Sequence, residues 1–204
     1  MKRRDDMPSV LSNFNERSFC SMRREYLEDI KNWRNAQMEV LRQWKPLTEH
    51  DQKKWFELIS TDDKQIIFAI LGPSLPGSKE ASGGLIGYCG ITNLDTKNRR
   101  GEISFLVDPE RVKDEKIYRD DFLSALYMLC RYAFESIDLN KLFTETYVFR
   151  EYHIGILEEF GLKADSILRQ HEFINGKFYD SVIHSILCDE WPGVKERIDN
   201  EPGK

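Results

Sequence analysis

Long apolar runs are missing from this sequence of 204 residues. No segment reaches the roughly eighteen apolar residues of a membrane-spanning helix, and the charged residues 1–6 precede no apolar segment of the kind found in secretion signals. Clusters of positive charge are missing as well, because 30 Lys and Arg residues are scattered among 35 Asp and Glu residues, for a net charge of −5. We therefore expect neither a membrane protein nor a nucleic-acid-binding protein.

Paired cysteines are also missing. Cys20, Cys89, Cys130 and Cys188 lie far apart, with no C-x-x-C pair, and each lies in or beside an apolar segment. This pattern is typical of buried, reduced thiols in a cytoplasmic protein and not of a disulfide framework. The 4 histidines have no metal-ligand spacing either, so we predict no metal site.

No linker rich in Pro, Gly and Ser divides the chain into halves. Residues 72–84 have the composition of a linker, but they lie between two strand-like segments and are better interpreted as a long hairpin loop. We therefore predict a single domain over residues 17–191, with a polar leader at residues 1–16 and a polar tail at residues 192–204.

Hydrophobic periodicity predicts a mixture of strands and helices. Apolar residues at helical spacing indicate a long amphipathic helix over residues 121–137. Asn175-Gly176 between two alternating segments is a hairpin turn signal, and Thr48 followed by Asp51 is a loose capping box that begins a helix. The other predicted elements are strands at residues 17–24, 65–71, 84–94, 101–107 and 142–149, and helices at residues 26–38 and 152–160.

This order of elements resembles the fold of the GNAT (Gcn5-related) acyltransferase superfamily. Four local sequences resemble the branch that contains ribosomal-protein N-terminal acetyltransferases and amino-sugar N-acetyltransferases. The resemblance covers about residues 17–191 and implies an α+β, three-layer fold with a mixed, mostly antiparallel central sheet flanked by helices. The four segments are Trp33-Arg34-Asn35 followed by residues 51–56, Gly101-Glu102-Ile103-Ser104-Phe105, residues 157–162, and residues 176–180 with Glu190-Trp191.

The resemblance implies an acetyl-CoA-dependent N-acetyltransferase whose acceptor, a primary amine, attacks the thioester directly. The acceptor is left open between an amino sugar, a protein N-terminus and a small metabolite amine, and a homodimer is left open as well. Glu102 is the expected base, acting through water. Tyr152 is the expected acid for the departing thiolate, because Leu157 stands where many members have a Tyr.

The other expected site residues bind the cofactor or the acceptor. In the family, the loop between the fourth strand and the long helix holds the coenzyme A pyrophosphate at the helix N-terminus. We expect the acceptor to contact Trp33, Tyr179 and Asp180. Cofactor contacts are expected from a backbone N–H of Phe105, Leu106 or Val107 at the thioester oxygen, and from Arg111, Arg119, Asp120, Asp121, Phe122 and Arg150 around the helix start.

One difference from the family pattern is that residues 108–121 contain no glycine and place Asp120 and Asp121 where the helix is expected to begin. Two carboxylates there suit the helix dipole but would repel a pyrophosphate. Arg150 and Leu157 also stand where the family has Asn and Tyr. These differences motivate an alternative, a GNAT-shaped binding or scaffold protein without acyl transfer.

Several of these residues also have a structural interpretation. Glu102 is alternatively an exposed strand residue that pairs with Arg99 or Arg100. His153 is a candidate base but is better interpreted as a surface histidine. The same choice between a functional and a structural role holds for Trp33, Tyr152, His171, Tyr179 and Asp180.

Overall fold

The computed structural model describes residues 10–76 and 84–200. The strands are β1 (Val10–Phe14), β2 (Arg17–Ser21), β3 (Ile66–Gly72), β4 (Gly84–Asp95), β5 (Arg100–Val107), β6 (Lys141–Tyr147), β7 (Lys163–Ile174) and β8 (Lys177–Leu187). The α-helices are α1 (Leu27–Ala36), α2 (Glu49–Thr61), α3 (Pro109–Val112), α4 (Glu115–Arg131), α5 (Glu151–Phe160) and α6 (Trp191–Asp199). A π-helical turn at Tyr132–Ser136 continues α4.

The strands form one mixed sheet in the order β1-β2-β3-β4-β5-β6-β8-β7. Neighbouring strands are antiparallel except β5 and β6, which are parallel. The connection between β5 and β6 contains α3 and α4, as a parallel pair requires a long crossover. The α+β fold with a mixed, mostly antiparallel sheet is confirmed.

Helices cover both faces of the sheet and make three layers. The larger core lies under α4, α5 and α6 and contains Phe122 and Leu126 of α4. The smaller core lies on the opposite face, where Ile30 of α1 packs with Tyr88 and Leu106. Because side chains alternate along a strand, β4 and β5 supply one set of residues to each core.

Local sequence signals predicted the ends of several elements correctly. The Thr48 side chain accepts a hydrogen bond from the Asp51 N–H, and the Asp51 carboxylate accepts one from the Thr48 N–H, so the capping box is confirmed. Asn175 and Gly176 adopt φ angles of 49° and 82°, as a tight hairpin turn between β7 and β8 requires. Gly161 ends α5 with a φ of 121°.

The long helix begins earlier than predicted. α4 starts at Glu115 instead of residue 121, because the Asp114 carboxylate accepts a hydrogen bond from the Ile117 N–H and caps the helix there. The residues expected at the helix start therefore lie inside α4. This correction changes the expected geometry around the cofactor.

The chain ends contain more structure than the predicted leader and tail. Residues 10–14 form β1, which pairs with β2, and Phe14 stacks on Tyr127 with ring centroids 3.9 Å apart. Residues 191–199 form α6, whose Ile198 is buried against the larger core. A few apolar side chains in these polar segments are enough to attach them to the core.

The linker-like segment after β3 connects two antiparallel strands. Gly72 pairs with Gly84, so the chain leaves β3 and returns directly into β4. The predicted loop itself falls largely on residues 77–83, which lie outside the described residues.

All four cysteines are free thiols, and Cys20, Cys89 and Cys130 are buried as predicted, whereas Cys188 is half-buried. Burial raises the pKa of Cys20 to about 11, and burial also raises the pKa of Cys89 and Cys130 above the usual thiol value. Among the described residues, none of the helices combines the length and the apolar character needed to cross a membrane.

Candidate active site

The sheet opens between β5 and β6. Their parallel pairing ends at Glu102↔Phe143, and beyond this pair the two strands diverge. A cavity of about 100 Å³ lies in the gap. Within the described residues, β5 has no strand partner on this side beyond Glu102, so a ligand can reach its main-chain groups there.

Side chains from both faces of the sheet line this cavity. Arg42, Glu145 and Tyr147 approach from the side covered by α1 and α2. Phe122 of α4 and His153 of α5 approach from the other side. A molecule held in the gap would therefore contact groups from both helical layers.

Glu102 lies where the strands diverge and is 3% exposed. One of its carboxylate oxygens accepts a hydrogen bond from Arg42, and the other accepts one from Asn93 Nδ2 at 2.6 Å. The alternative of an exposed residue paired with Arg99 or Arg100 is wrong, because those arginines pair with acidic residues elsewhere. Glu102 is instead a buried carboxylate at the cleft.

Arg42 connects two carboxylates of the cleft, and sequence reasoning missed it. It pairs with Glu102, and its Nη1 lies 3.6 Å from Glu145 Oε2. Burial opposes the positive charge of Arg42, but the Glu102 and Glu145 carboxylates raise its pKa above the ordinary value. Burial, together with the Glu172 carboxylate, raises the pKa of Tyr147 in the same region to about 12.

The opposite wall of the cavity contains a buried histidine. His153 stacks on Phe122 with ring centroids 4.4 Å apart, and its Nδ1 lies 2.7 Å from the Tyr118 hydroxyl. Burial, together with nearby Arg150 and His184, lowers the pKa of His153 well below its usual value, so the ring is neutral at neutral pH. The expectation of a surface histidine was wrong for His153.

A second cavity, of about 400 Å³, adjoins the first one and shares Arg42 and Tyr147 with it. Glu39 and Glu172 bring negative charge to its lining, and the exposed Trp44 also lines it. This cavity lies on the α1–α2 side of the sheet and has room for an acceptor molecule.

A cluster of carboxylates and a histidine lies between the two cavities. Glu145, His171 and Glu172 present ligand atoms within 4.8 Å of one another. The Glu145 side chain is 10% exposed, and its Oε1 has no hydrogen-bond partner among the described residues. The cluster attracts positive charge, and the absence of a metal stays a prediction.

A family model described as an acetyltransferase (GNAT) domain matches residues 20–183 of this chain, which include both strands of the cleft. The chain belongs to the GNAT acetyltransferase family. The resemblance inferred from the four local sequences is therefore confirmed.

Individual GNAT relatives cover part of the chain by sequence and most of it by structure. "Putative ribosomal N-acetyltransferase YdaF" of Bacillus subtilis (strain 168) is 31% identical over 113 residues, 55% of this chain and 59% of that protein. "Uncharacterized N-acetyltransferase YoaA" of the same strain is 29% identical over 104 residues, 50% of this chain and 55% of that protein. The chain thus spans less than two thirds of the length of the curated relatives it matches.

A solved GNAT structure supports the fold. Spermidine N-acetyltransferase from Vibrio cholerae, solved in complex with CoA and spermine, superposes with a TM-score of 0.73 at 19% identity. The superposition covers 87% of this chain and 98% of that chain. At this identity the likeness concerns the fold alone.

In this GNAT domain, part of the expected cofactor loop is fixed in the interior. Asp121 is 0% exposed, and its carboxylate accepts hydrogen bonds from Arg17 Nε at 3.0 Å and from Arg111 Nε and Nη2 at 2.5 and 2.9 Å. Arg119 pairs with Glu159 of α5. Because Asp121 lies inside α4 and two guanidinium groups neutralise it, this carboxylate does not repel an anion as the sequence suggested.

The other expected cofactor residues divide into two groups. Those that line the cavity are Phe105, Phe122 and Arg150. The side chains of Leu106 and Val107 are buried, and Asp120 lies within α4 beside Arg119 at 3.4 Å. Their contacts with a cofactor stay predictions, as does the main-chain role of β5.

The remaining expected residues are not among those that line the two cavities, and each has other partners. The Tyr152 hydroxyl donates to the Glu115 carbonyl at 2.7 Å, and the side chain is 42% exposed. Trp33 packs against the smaller core, Tyr179 makes an aromatic contact, and Asp180 accepts a hydrogen bond from a main-chain N–H of β7. Roles for these four residues in catalysis or acceptor binding stay predictions.

Proposed function

We propose that this chain is an acetyl-CoA-dependent N-acetyltransferase that acts on a primary amine in the gap between β5 and β6. The divergence of the two parallel strands after Glu102, next to a cavity, is the observation that carries this proposal. A pantetheine arm contains amide groups, and these pair naturally with the unpaired edge of a strand. Two fully paired strands would leave no room for such an arm.

The residues of the cleft fit direct attack of an amine on a thioester. Acetyl-CoA supplies an activated acyl carbon when it is bound. Glu102 removes a proton from the acceptor ammonium through water, because only the free amine can attack. A main-chain N–H of Phe105, Leu106 or Val107 donates to the thioester oxygen while negative charge develops on it.

The acceptor is a small cationic amine. Glu39 and Glu172 line the larger cavity, and Glu145 faces the gap beside it. Arg42 pairs with Glu102 and with Oε2 of Glu145, whereas Oε1 of Glu145 has no hydrogen-bond partner among the described residues and can accept a hydrogen bond from an acceptor ammonium. A nucleotide-linked amino sugar would bring a diphosphate towards these carboxylates and be repelled.

A binding or scaffold role is the second candidate, and the start of α4 favours it. Here the Asp114 carboxylate caps the helix, and residues 108–121 contain no glycine that would let the backbone wrap a pyrophosphate. A protein of this kind would keep the GNAT fold without binding acetyl-CoA.

Thermal unfolding with added acetyl-CoA separates the two candidates. A ligand at about a hundredfold excess over its Kd raises the free energy of unfolding by about 2.7 kcal/mol, so we expect a clear increase in Tm with acetyl-CoA and with CoA. ADP, which lacks the pantetheine arm, serves as the control and should stabilise less. An unchanged Tm at millimolar acetyl-CoA would contradict the enzyme and favour the scaffold.

A further inference from the structure

We propose that His153 donates a hydrogen bond from Nε2–H to the sulfur of the thioester as it leaves, in place of the tyrosine that many family members have. This inference rests on the proposed function and identifies the group that stabilises the leaving thiolate. It assigns no such role to Tyr152.

His153 lies on α5 one turn before Leu157, and it lines the cavity. It precedes Leu157 by four residues, so the two share one face of the helix. Leu157 is fully buried in the larger core, whereas His153 lines the cavity between β5 and β6 together with Phe105 and Thr146. The hydroxyl of Tyr152 already donates to a main-chain carbonyl at the start of α4.

The neighbours of His153 determine which ring nitrogen carries the proton. The Tyr118 hydroxyl lies 2.7 Å from Nδ1, and its oxygen accepts a hydrogen bond from Arg150 Nη2 at 3.2 Å. In the part of the chain that the structure describes, this hydroxyl has no acceptor other than Nδ1, so it donates its proton there. A neutral imidazole with an accepting Nδ1 carries its proton on Nε2, the nitrogen that remains for the cavity.

His153 acts by hydrogen bonding and keeps its proton. In the transfer, the C–N bond forms and the C–S bond breaks, and the bonding electron pair stays on the sulfur. The acceptor ammonium loses two protons on the way to the amide: Glu102 passes the first one through water to the solvent before the attack, and it takes the second one as the C–N bond forms. Burial, with Arg150 and His184 nearby, lowers the pKa of His153, so the ring is an uncharged donor during this step. A donor placed at a developing thiolate stabilises the charge where it forms.

The affinity for CoA as a function of pH tests the proposal without turnover. CoA has an ionisable thiol, for which the cysteine thiol with its reference pKa of about 8.5 serves as the model, whereas acetyl-CoA has none. A donor at the sulfur favours the bound thiolate, so we expect the ratio of the Kd of CoA to the Kd of acetyl-CoA to fall about tenfold between about pH 6.5 and 10. Isothermal titration calorimetry measures both constants.

Two variants show whether His153 causes this fall. His153→Phe keeps a flat ring against Phe122 and removes the donor, so the ratio should become independent of pH or rise with it. His153→Gln keeps an N–H donor and should retain part of the fall. Tyr118→Phe removes the hydroxyl that fixes the tautomer of His153, so the fall in the Kd ratio should be smaller in this variant too. Tyr118 is therefore a positioning residue. The other charged and titratable groups around the ring are unchanged in His153→Phe, so a difference between this variant and the wild type is caused by His153. These groups are Arg42, Tyr118, Glu145, Tyr147, Arg150 and His184.

The outcomes separate this inference from the proposed function. If the folded His153→Phe variant shows the same fall in the Kd ratio with pH as the wild type, His153 does not have this role. A Kd ratio that does not change with pH in the wild type overturns the role as well. If His153→Phe does not fold, Tyr118→Phe and His153→Gln decide the question by the same ratio. Failure of the wild type to bind acetyl-CoA at all overturns the proposed function, and this inference with it.

Discussion

Replacing Asp121 with alanine is expected to lower the free energy of unfolding by about 3–5 kcal/mol. The Asp121 carboxylate is the shared partner of Arg17 on β2 and Arg111 on α3, and all three side chains are nearly or fully buried. Alanine would leave two guanidinium groups in the interior with no carboxylate to offset their lost hydration. Chemical denaturation followed by circular dichroism measures the change.

The neighbouring residue provides a matched control. Asp120 pairs with Arg119 at 3.4 Å, but both side chains are more than a third exposed, at 37% and 38%. A solvent-exposed ion pair contributes only about 0–1 kcal/mol, so Asp120→Ala should change the stability little. Equal losses in the two variants would contradict the structural role given to Asp121.

The contrast between these two aspartates shows where sequence reasoning stops. Asp120 and Asp121 are adjacent and were expected to have the same place at the start of a helix. Asp121 instead accepts a hydrogen bond from Arg17, which lies 104 positions earlier in the chain. No local pattern encodes a contact of that separation, whereas the capping box of Thr48 and Asp51 spans four residues and could be recognised from sequence.

The same limit applies to the candidate site. Glu102 was found because it lies in a segment that resembles the family, and the alternating residues of β6 predicted the second strand of the cleft. Arg42 lies in an irregular segment before α2, so neither periodicity nor a motif indicated its contact with Glu102. Glu145 could have been found from the sequence. It stands between Thr144 and Thr146 on β6, and because side chains alternate along a strand, its carboxylate lies on the opposite face from the two threonines.

Replacing Glu102 with glutamine is expected to lower kcat by about 10²–10⁴-fold, which is the usual contribution of a positioned general base. The amide has nearly the shape of the carboxylate but cannot accept the proton of the amine at neutral pH. Its NH₂ group would also meet Arg42 or Asn93, both of which present donors to Glu102. Steady-state kinetics over a range of pH, together with the Kd for acetyl-CoA, separates lost chemistry from lost binding.

Glu145→Gln is the matched control because Glu145 is the second carboxylate that contacts Arg42. It leaves the pair between Glu102 and Arg42 in place and removes negative charge from the cavity wall, so KM for a cationic amine should rise more than kcat falls. Glu102→Gln should instead reduce kcat and flatten the acidic limb of the pH profile, with the Kd for acetyl-CoA unchanged. If Glu102→Gln keeps its turnover and its pH dependence while Glu145→Gln loses both, the base is Glu145, and Glu102 serves to hold Arg42.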